Sequence, residues 1–482
     1  MKINKSIIAC AVVMALGTQA AHAAEEVKQA EPVEISSDFN ANALGNMIIV
    51  EQTSQEGAAL GNETELFQEG DINGILATTN GDGNVSVVEQ IGSENIAIVD
   101  SMGDLNEINV DQNGAGNETE THITGSENSV IVSQEGEGFL GYTSLSINNV
   151  TGDGNTIETY QAGGGHWSVN QNIEGSGNSI VTEQNGDWNE AYVLQANGND
   201  NDIEIAQDGF YSVAKVEALT GSGNELSIEQ DGDRNNAQIA DVTGDNNSID
   251  IDQEGGYNVA ASGIFTGSDN DVSVSQNGDS NVSEFDVIGD GNEFTSTQMG
   301  AENESYIGAI GSDNEFSVSQ MGDMNSSHLV NFNGDGNDID ILQSGDENTS
   351  IVQASQVDQT LTTHSNDIDI VQSGDMNDAM VNISTMIDSN DSVLDIEQDG
   401  DLNSLDILLE GSNHMVEIAQ LGDENMVTGA NGDPMLIGGE GVELSIMQEG
   451  NGNIVEGSVI SGAGSISISQ TGDWNTAVIV QQ

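Results

Sequence analysis

One glutamine recurs along this chain at positions 68, 90, 112, 134, 161, 184, 207, 230, 253, 276, 298, 320, 343, 372, 398, 420, 448 and 470, and nothing else in the sequence constrains the fold as tightly. Of the 17 intervals between these 18 positions, 13 are 22 or 23 residues. The residue two after the glutamine is Gly in all 18 units, the residue five after it is Asn in 15, and the residue six before it is Asn in 14. A period held this long subordinates every local reading to one repeated unit.

Within the unit, apolar and polar residues alternate strictly from the leading Asn to the Gln, as in Asn224-Glu-Leu226-Ser-Ile228-Glu-Gln230 and Asn247-Ser-Ile249-Asp-Ile251-Asp-Gln253. Period two means a half-buried β-strand, with the apolar residues and the terminal Asn and Gln on one face. A Gly-containing turn follows, then a second strand such as Asn475-Thr-Ala477-Val-Ile479-Val-Gln481. Such an arch cannot bury its apolar face alone, but arches stacked in register about 4.8 Å apart close a continuous core. The sequence therefore predicts an all-β fold, a β-solenoid of about 18 rungs with two short strands per repeat and a length of roughly 85 Å.

Inward glutamines at matching positions predict a ladder in which each amide donates to one neighbour and accepts from the other. Its members are Gln68, Gln90, Gln112, Gln134, Gln184, Gln207, Gln230, Gln253, Gln276, Gln298, Gln320, Gln343, Gln398, Gln420, Gln448 and Gln470. The repeat region is read as 46–482, because Asn46-Met-Ile48-Ile-Val50-Glu-Gln52 fits the same Asn-to-Gln strand template and the pattern runs on through Gln481. Residues 24–45 lack the pattern and read as an acidic leader. Residues 1–23 read as a secretory signal: Lys2 and Lys5, an apolar stretch from Ile7 to Leu16, and a small-residue cleavage site at Ala21-His22-Ala23. Cys10, the sole cysteine, leaves with that segment, so the mature chain has no disulfide.

These residues carry a family likeness. The unit resembles the curlin repeat of curli fibres, whose motif joins a first Gln, a Gly-containing turn, Asn, Ala and a second Gln. Gln470-Thr-Gly-Asp-Trp followed by Asn475-Thr-Ala477-Val-Ile-Val-Gln481 matches it throughout, as does Gln184 to Gln195 through Gly186, Asn189 and Ala191. The resemblance implies a secreted subunit that assembles into amyloid-like fibres of a bacterial biofilm matrix and serves adhesion. It also implies self-association end to end, with other curlin-like subunits as further partners.

The charge narrows the partners. Asp and Glu number 82 against 5 Lys and Arg, a formal net charge of −77, so nucleic acid and anionic membranes are poor partners. No apolar run outside the signal reaches the ~20 residues a spanning helix needs, and no membrane insertion is expected. Outward carboxylates must stack between rungs, and cations must offset part of their repulsion. The Gly-Asp turn dipeptides place Asp71, Asp187, Asp233, Asp279, Asp323, Asp346, Asp375, Asp401, Asp423 and Asp473 in a column. Their main reading is satisfaction of turn amides; a column of Ca²⁺ sites is the lesser one, since the Gly-Gly-x-Gly-x-Asp calcium repeat is absent. No cofactor is otherwise called for, and no metal ligand is assigned.

Catalysis has little to stand on. The mature histidines His122, His166, His328, His364 and His414 lie in distant repeats without metal-ligand spacing. Acidic pairs occur everywhere and so single out no glycosidase, while an acidic-sugar lyase would want more cations than Lys215 and Arg234 supply in the repeats. The sequence thus favours a secreted structural protein, extracellular or at the bacterial cell surface, that is not an enzyme. The alternatives are a monomeric acidic, cation-binding surface adhesin and, behind it, a β-helical glycan-active enzyme.

Overall fold

The structure, a computed structural model, describes residues 45–54, 61–137, 144–354 and 361–481; the signal and all of the leader before residue 45 lie outside these residues. The described chain is 72% strand and forms a parallel β-solenoid of about 18 turns. No α-helix occurs among the described residues, only a short 3-10 turn at Ala430–Gly432.

Each rung lays its first strand into one stack and its second into another. In the first stack Glu225–Asp233, Ser248–Gly256 and Asp271–Asp279 pair in parallel, with Leu226 opposite Ile249 and Val272, and Gln230 opposite Gln253 and Gln276. In the second, Val213–Thr220, Asn236–Thr243 and Val259–Thr266 bring Ala214, Ala237 and Ala260 into line. The inner faces of the two stacks meet in one apolar core running the length of the rod. Leu226, Ile228, Ile249, Ile251, Val272 and Val274 are all at most 2% exposed in it. Bulkier rungs accept rings: Phe294 stacks on Phe316 with centroids 5.3 Å apart, and Phe332 packs at 5.1 Å from Phe316.

The Gly found two residues after every ladder Gln is required by axial contact. A Cβ at Gly232 would stand 2.1 Å from the carbonyl oxygen of Gly255, and one at Gly255 would stand 2.2 Å from that of Gly278. Both residues also have φ above +100°. No side chain fits there, because the next rung's backbone occupies its space.

One sequence expectation needs correction. Asn46 to Gln52 reads as a first strand, but Met47–Thr53 belongs to the second stack, with Met47 opposite Gly74 and Gln52 opposite Thr79. The Asn-to-Gln spacing is six residues in both kinds of strand, as Asn475 and Gln481 illustrate, so that spacing alone does not distinguish them. The discriminating residue is the Gly two beyond the Gln, and Ser54 stands in its place.

The longer repeats extrude their extra residues at corners and leave the register intact. Gln134 pairs with Gln161 across 27 residues, and Gln343 with Gln372 across 29. On the outward side of the second stack, Leu145, Ile147, Val169 and Tyr192 form a small second apolar cluster.

Candidate functional site: amide ladders, acidic edge and end faces

The glutamines lie on the inner face at the end of each first strand, where strand meets turn. Gln253 Nε2 donates to Gln276 Oε1 at 2.8 Å and receives a bond from Gln230 Nε2 at 2.7 Å. Its remaining N–H reaches the Asn236 carbonyl of the facing strand at 3.3 Å. Each amide thereby ties a rung to its neighbour and one sheet to the other. The sixteen residues named from the sequence stand in one line, and Gln161 and Gln372 stand in it with them. Gln134 donates to Gln161 and Gln161 to Gln184, both at 2.8 Å; Gln343 donates to Gln372 and Gln372 to Gln398, also at 2.8 Å.

Two asparagine columns mark the two corners and run with the opposite polarity. Asn247 donates from its backbone N–H (2.9 Å) and from Nδ2 (3.0 Å) to Oδ1 of Asn224 in the preceding rung, and from Nδ2 to the Gly267 carbonyl of the following one (2.9 Å). Where Asn is missing, a substitute keeps the backbone satisfied. His166 accepts the Asn189 N–H at Nδ1 (3.4 Å) while its Nε2 meets the Ala162 carbonyl (3.2 Å). His414 does the same between the Val442 N–H (3.3 Å) and the Glu410 carbonyl (3.2 Å). Burial pushes both imidazoles below the usual histidine range, as an acceptor nitrogen inside a ladder requires. Neither role can be read from a single histidine in the sequence; alignment with the Asn column reveals it.

The turn aspartates form a real column. Asp346 Oδ1 accepts the Asp323 N–H (2.9 Å), Asp375 that of Asp346 (3.0 Å), and Asp401 that of Asp375 (3.0 Å). One oxygen of each carboxylate is thus committed to the preceding rung's backbone. Among the described residues, no group of three or more His, Cys, Asp or Glu is arranged to hold a metal ion.

Just past that aspartate, the corner residue adopts left-handed backbone. At four successive rungs it is bulky: Trp188, Tyr211, Arg234 and Tyr257, with φ between 59° and 64°. Trp188 stacks on Tyr211 at 5.7 Å, and the Arg234 guanidinium lies 5.9 Å from the Tyr211 ring and 5.2 Å from that of Tyr257. Ring stacking along the axis offsets backbone strain of the order of 1 kcal/mol per residue.

Elsewhere a buried carboxylate fixes an inserted corner. Glu410 accepts the backbone N–H groups of Thr385 (3.0 Å), Met386 (3.0 Å) and Ile387 (2.8 Å). On the outer faces, crowded acids hold their protons unusually well. Burial and then Glu120 raise Glu118 to about 7; burial, then Glu304 and Asp286, raise Glu284 to about 7. His122, bonded to Asp100 and Glu120, is raised to about 9. The five histidines occupy different rungs and the structure gathers them into no common site.

At both ends the stacks stop on an open strand. Among the described residues, Met47–Thr53 pairs only with Gly74–Asn80, and Thr476–Gln481 only with the strand Ile454–Thr471. Inner residues that are fully buried in mid-rod are only half-buried at the tips, as Leu66, Ile466, Ile468 and Ile479 demonstrate.

A solenoid of amide-laddered arches, with its polar residues spent on holding rung to rung, defines a structural repeat protein. A family model for the curlin associated repeat matches the chain six times, over residues 103–136, 175–209, 221–255, 244–278, 267–295 and 297–322. The chain is a curlin-repeat protein. That family is structural rather than enzymatic and extracellular or cell-surface. No curated protein matches the chain significantly. No helix among the described residues is long and apolar enough to cross a membrane.

Proposed function

We propose that this chain is a secreted structural subunit that stacks end to end into amyloid-like extracellular fibres, serving biofilm matrix and adhesion, with copies of itself and other curlin-like subunits as partners and no catalytic role. The observation that carries this reading is the complementarity of the two ends. At one tip, Asn475 completes its column by donating to Asn453 Oδ1 from N (3.0 Å) and Nδ2 (2.9 Å), leaving its own Oδ1 facing outward along the axis. At the other tip, Asn46 carries the matching N–H donors, and its Oδ1 accepts the Asn73 N–H at 3.0 Å. Head-to-tail docking would continue the same column, and unlike faces that meet by pure translation build an open filament rather than a closed ring. Parallel edges with unpaired N–H and C=O groups supply the backbone bonds of such a junction.

Electron microscopy of the purified secreted chain tests this. The expected result is unbranched filaments one solenoid wide, with a strand repeat of about 4.8 Å along the axis. Rods that stay single at every concentration and salt would overturn it and favour the acidic adhesin.

A further inference from the structure

The two stacks do not begin level. The second stack starts with Met47–Thr53, whereas the first starts one rung later with Glu63–Asp71, which pairs only with Val85–Ser93 among the described residues. The N-terminal face therefore carries a notch one strand wide. Its wall is the inner side of Met47–Thr53, where Ile48 and Val50 are 45% and 46% exposed although their register partners Ile75 and Ala77 are fully buried. Its floor is Leu66 and the open edge of its strand. Glu63 donates to the Asn84 carbonyl of the next rung, so by the alternation of a parallel ladder the N–H groups of Thr64, Leu66 and Gln68 point into the notch.

A second copy cannot fill this space. Its terminal rung carries Ser465–Thr471 and Thr476–Gln481 at one level, while the notch is open on one sheet only. What fits is a single strand entering through the turn before Asn46, because in every other rung the first strand arrives from there. The chain has such a segment: Val33, Ile35, Phe39 and Ala41 fall on one parity, with Glu34, Ser36, Asp38 and Asn40 on the other. The turn Asn follows the ladder position by five residues, so Asn46 puts Ala41 at that position, Phe39 over Leu66 and Ser37 over Thr64.

We propose that residues 33–41 seat in this notch as the missing strand and level the N-terminal face, making the leader a part of every junction between copies. The seat is weaker than a regular rung. Position 43 falls in the glycine column but is Ala43, and a Cβ in that column meets the next rung's carbonyl at 1.8 Å, as one on Gly70 would meet that of Gly92. Pairing consequently ends at about residue 41, and Ala41 offers no amide to the glutamine ladder. The leader is held by apolar contact and a few edge bonds, and it can leave. With it seated, an incoming copy meets both sheets at one level; with it absent, only one sheet can pair.

The role at the junction rests on the fibre reading, whereas the seat itself is testable in the single rod. Hydrogen exchange of the secreted full-length chain, before any assembly, should find 33–41 and the edge strand 63–71 protected. Phe39→Asp should accelerate exchange in both by about tenfold or more while 225–279 stays unchanged, and Asp38→Asn, on the outward parity, should leave all three alone. Unprotected exchange at 33–41 in the parent chain, or no response to Phe39→Asp, overturns the proposal. Elongation from preformed seeds should fall by a similar factor in Phe39→Asp; undiminished elongation despite the exchange effect would remove the leader from the junction. Absence of fibres from the parent chain, with the exchange pattern as described, would count against the fibre reading and for the seat.

Discussion

At the scale of single residues, the interior glutamine is the most exacting position. Gln253→Ala removes the acceptor of Gln230, the donor to Gln276 and the cross-sheet bond to Asn236, and should cost roughly 1–3 kcal/mol. Gln238→Ala removes only a bond from a half-buried outward side chain to Glu217, so its denaturation midpoint should stay close to the parent's; equal losses in the two variants would speak against a ladder role. Titration gives a second expectation. Glu118 and Glu284, raised to about 7, are protonated in the folded rod at pH values where the unfolded chain, near 4.5, is ionised. Their ionisation penalises the fold above pH 7 and is relieved as pH falls from 7 towards 4.5. His122 acts in the same direction, because its raised value of about 9 stabilises the fold fully below 6.5 and is lost as pH rises through 9. His166 and His414, held below 6.5, oppose this only once the pH drops under 6.5. Melting temperature should therefore rise from pH 9 to 6.5, and Glu284→Gln should raise it at pH 8 and flatten the slope.

At the scale of the strand, facing decides everything. Ile251 is fully buried and Asp250 beside it is exposed. Ile251→Asp should cost roughly 3–5 kcal/mol, the penalty of an uncompensated buried charge, while Asp250→Asn should be neutral or slightly stabilising; equilibrium unfolding of both variants checks it. Strand facing, register and the turn glycines were legible because each is a strictly periodic property repeated many times, so noise in one repeat is corrected by the next. Met47–Thr53 was misread where only one repeat was available and its diagnostic residue is at the margin. Gln161 and Gln372 belong to the ladder although long intervals adjoin them, because insertions leave at corners and do not shift the strands. His166, His414 and Glu410 were not legible, since their roles depend on which backbone N–H the fold places beside them. The bulky left-handed corner residues ran against local preference, which favours Gly or Asn there, and only axial stacking accounts for them.

At the scale of the whole rod, charge sets the terms of association. Carboxylates one rung apart repel by about 0.9 kcal/mol in a water-like dielectric, and the rod stacks them in rows such as Asp340, Asp369 and Asp395. Joining two rods extends these rows across a junction whose backbone bonds return roughly 0.5–1.5 kcal/mol each. Salt shortens the repulsion to about 8 Å at 0.15 M, so fibre growth followed by thioflavin fluorescence should be slow at low ionic strength and quicken as salt rises. With one oxygen of each column aspartate already committed to a backbone N–H, Ca²⁺ and Mg²⁺ should act alike; acceleration by Ca²⁺ alone would reinstate a specific site. The axial direction of the bonding also has a mechanical consequence. A pull along the rod loads every backbone bond in one gap at once, together with its three side-chain columns, so the gaps share strength evenly wherever the columns are whole. They are thinnest where Ser392 and His414 stand in for asparagine, and under rising tension the rod should part there, well away from either tip.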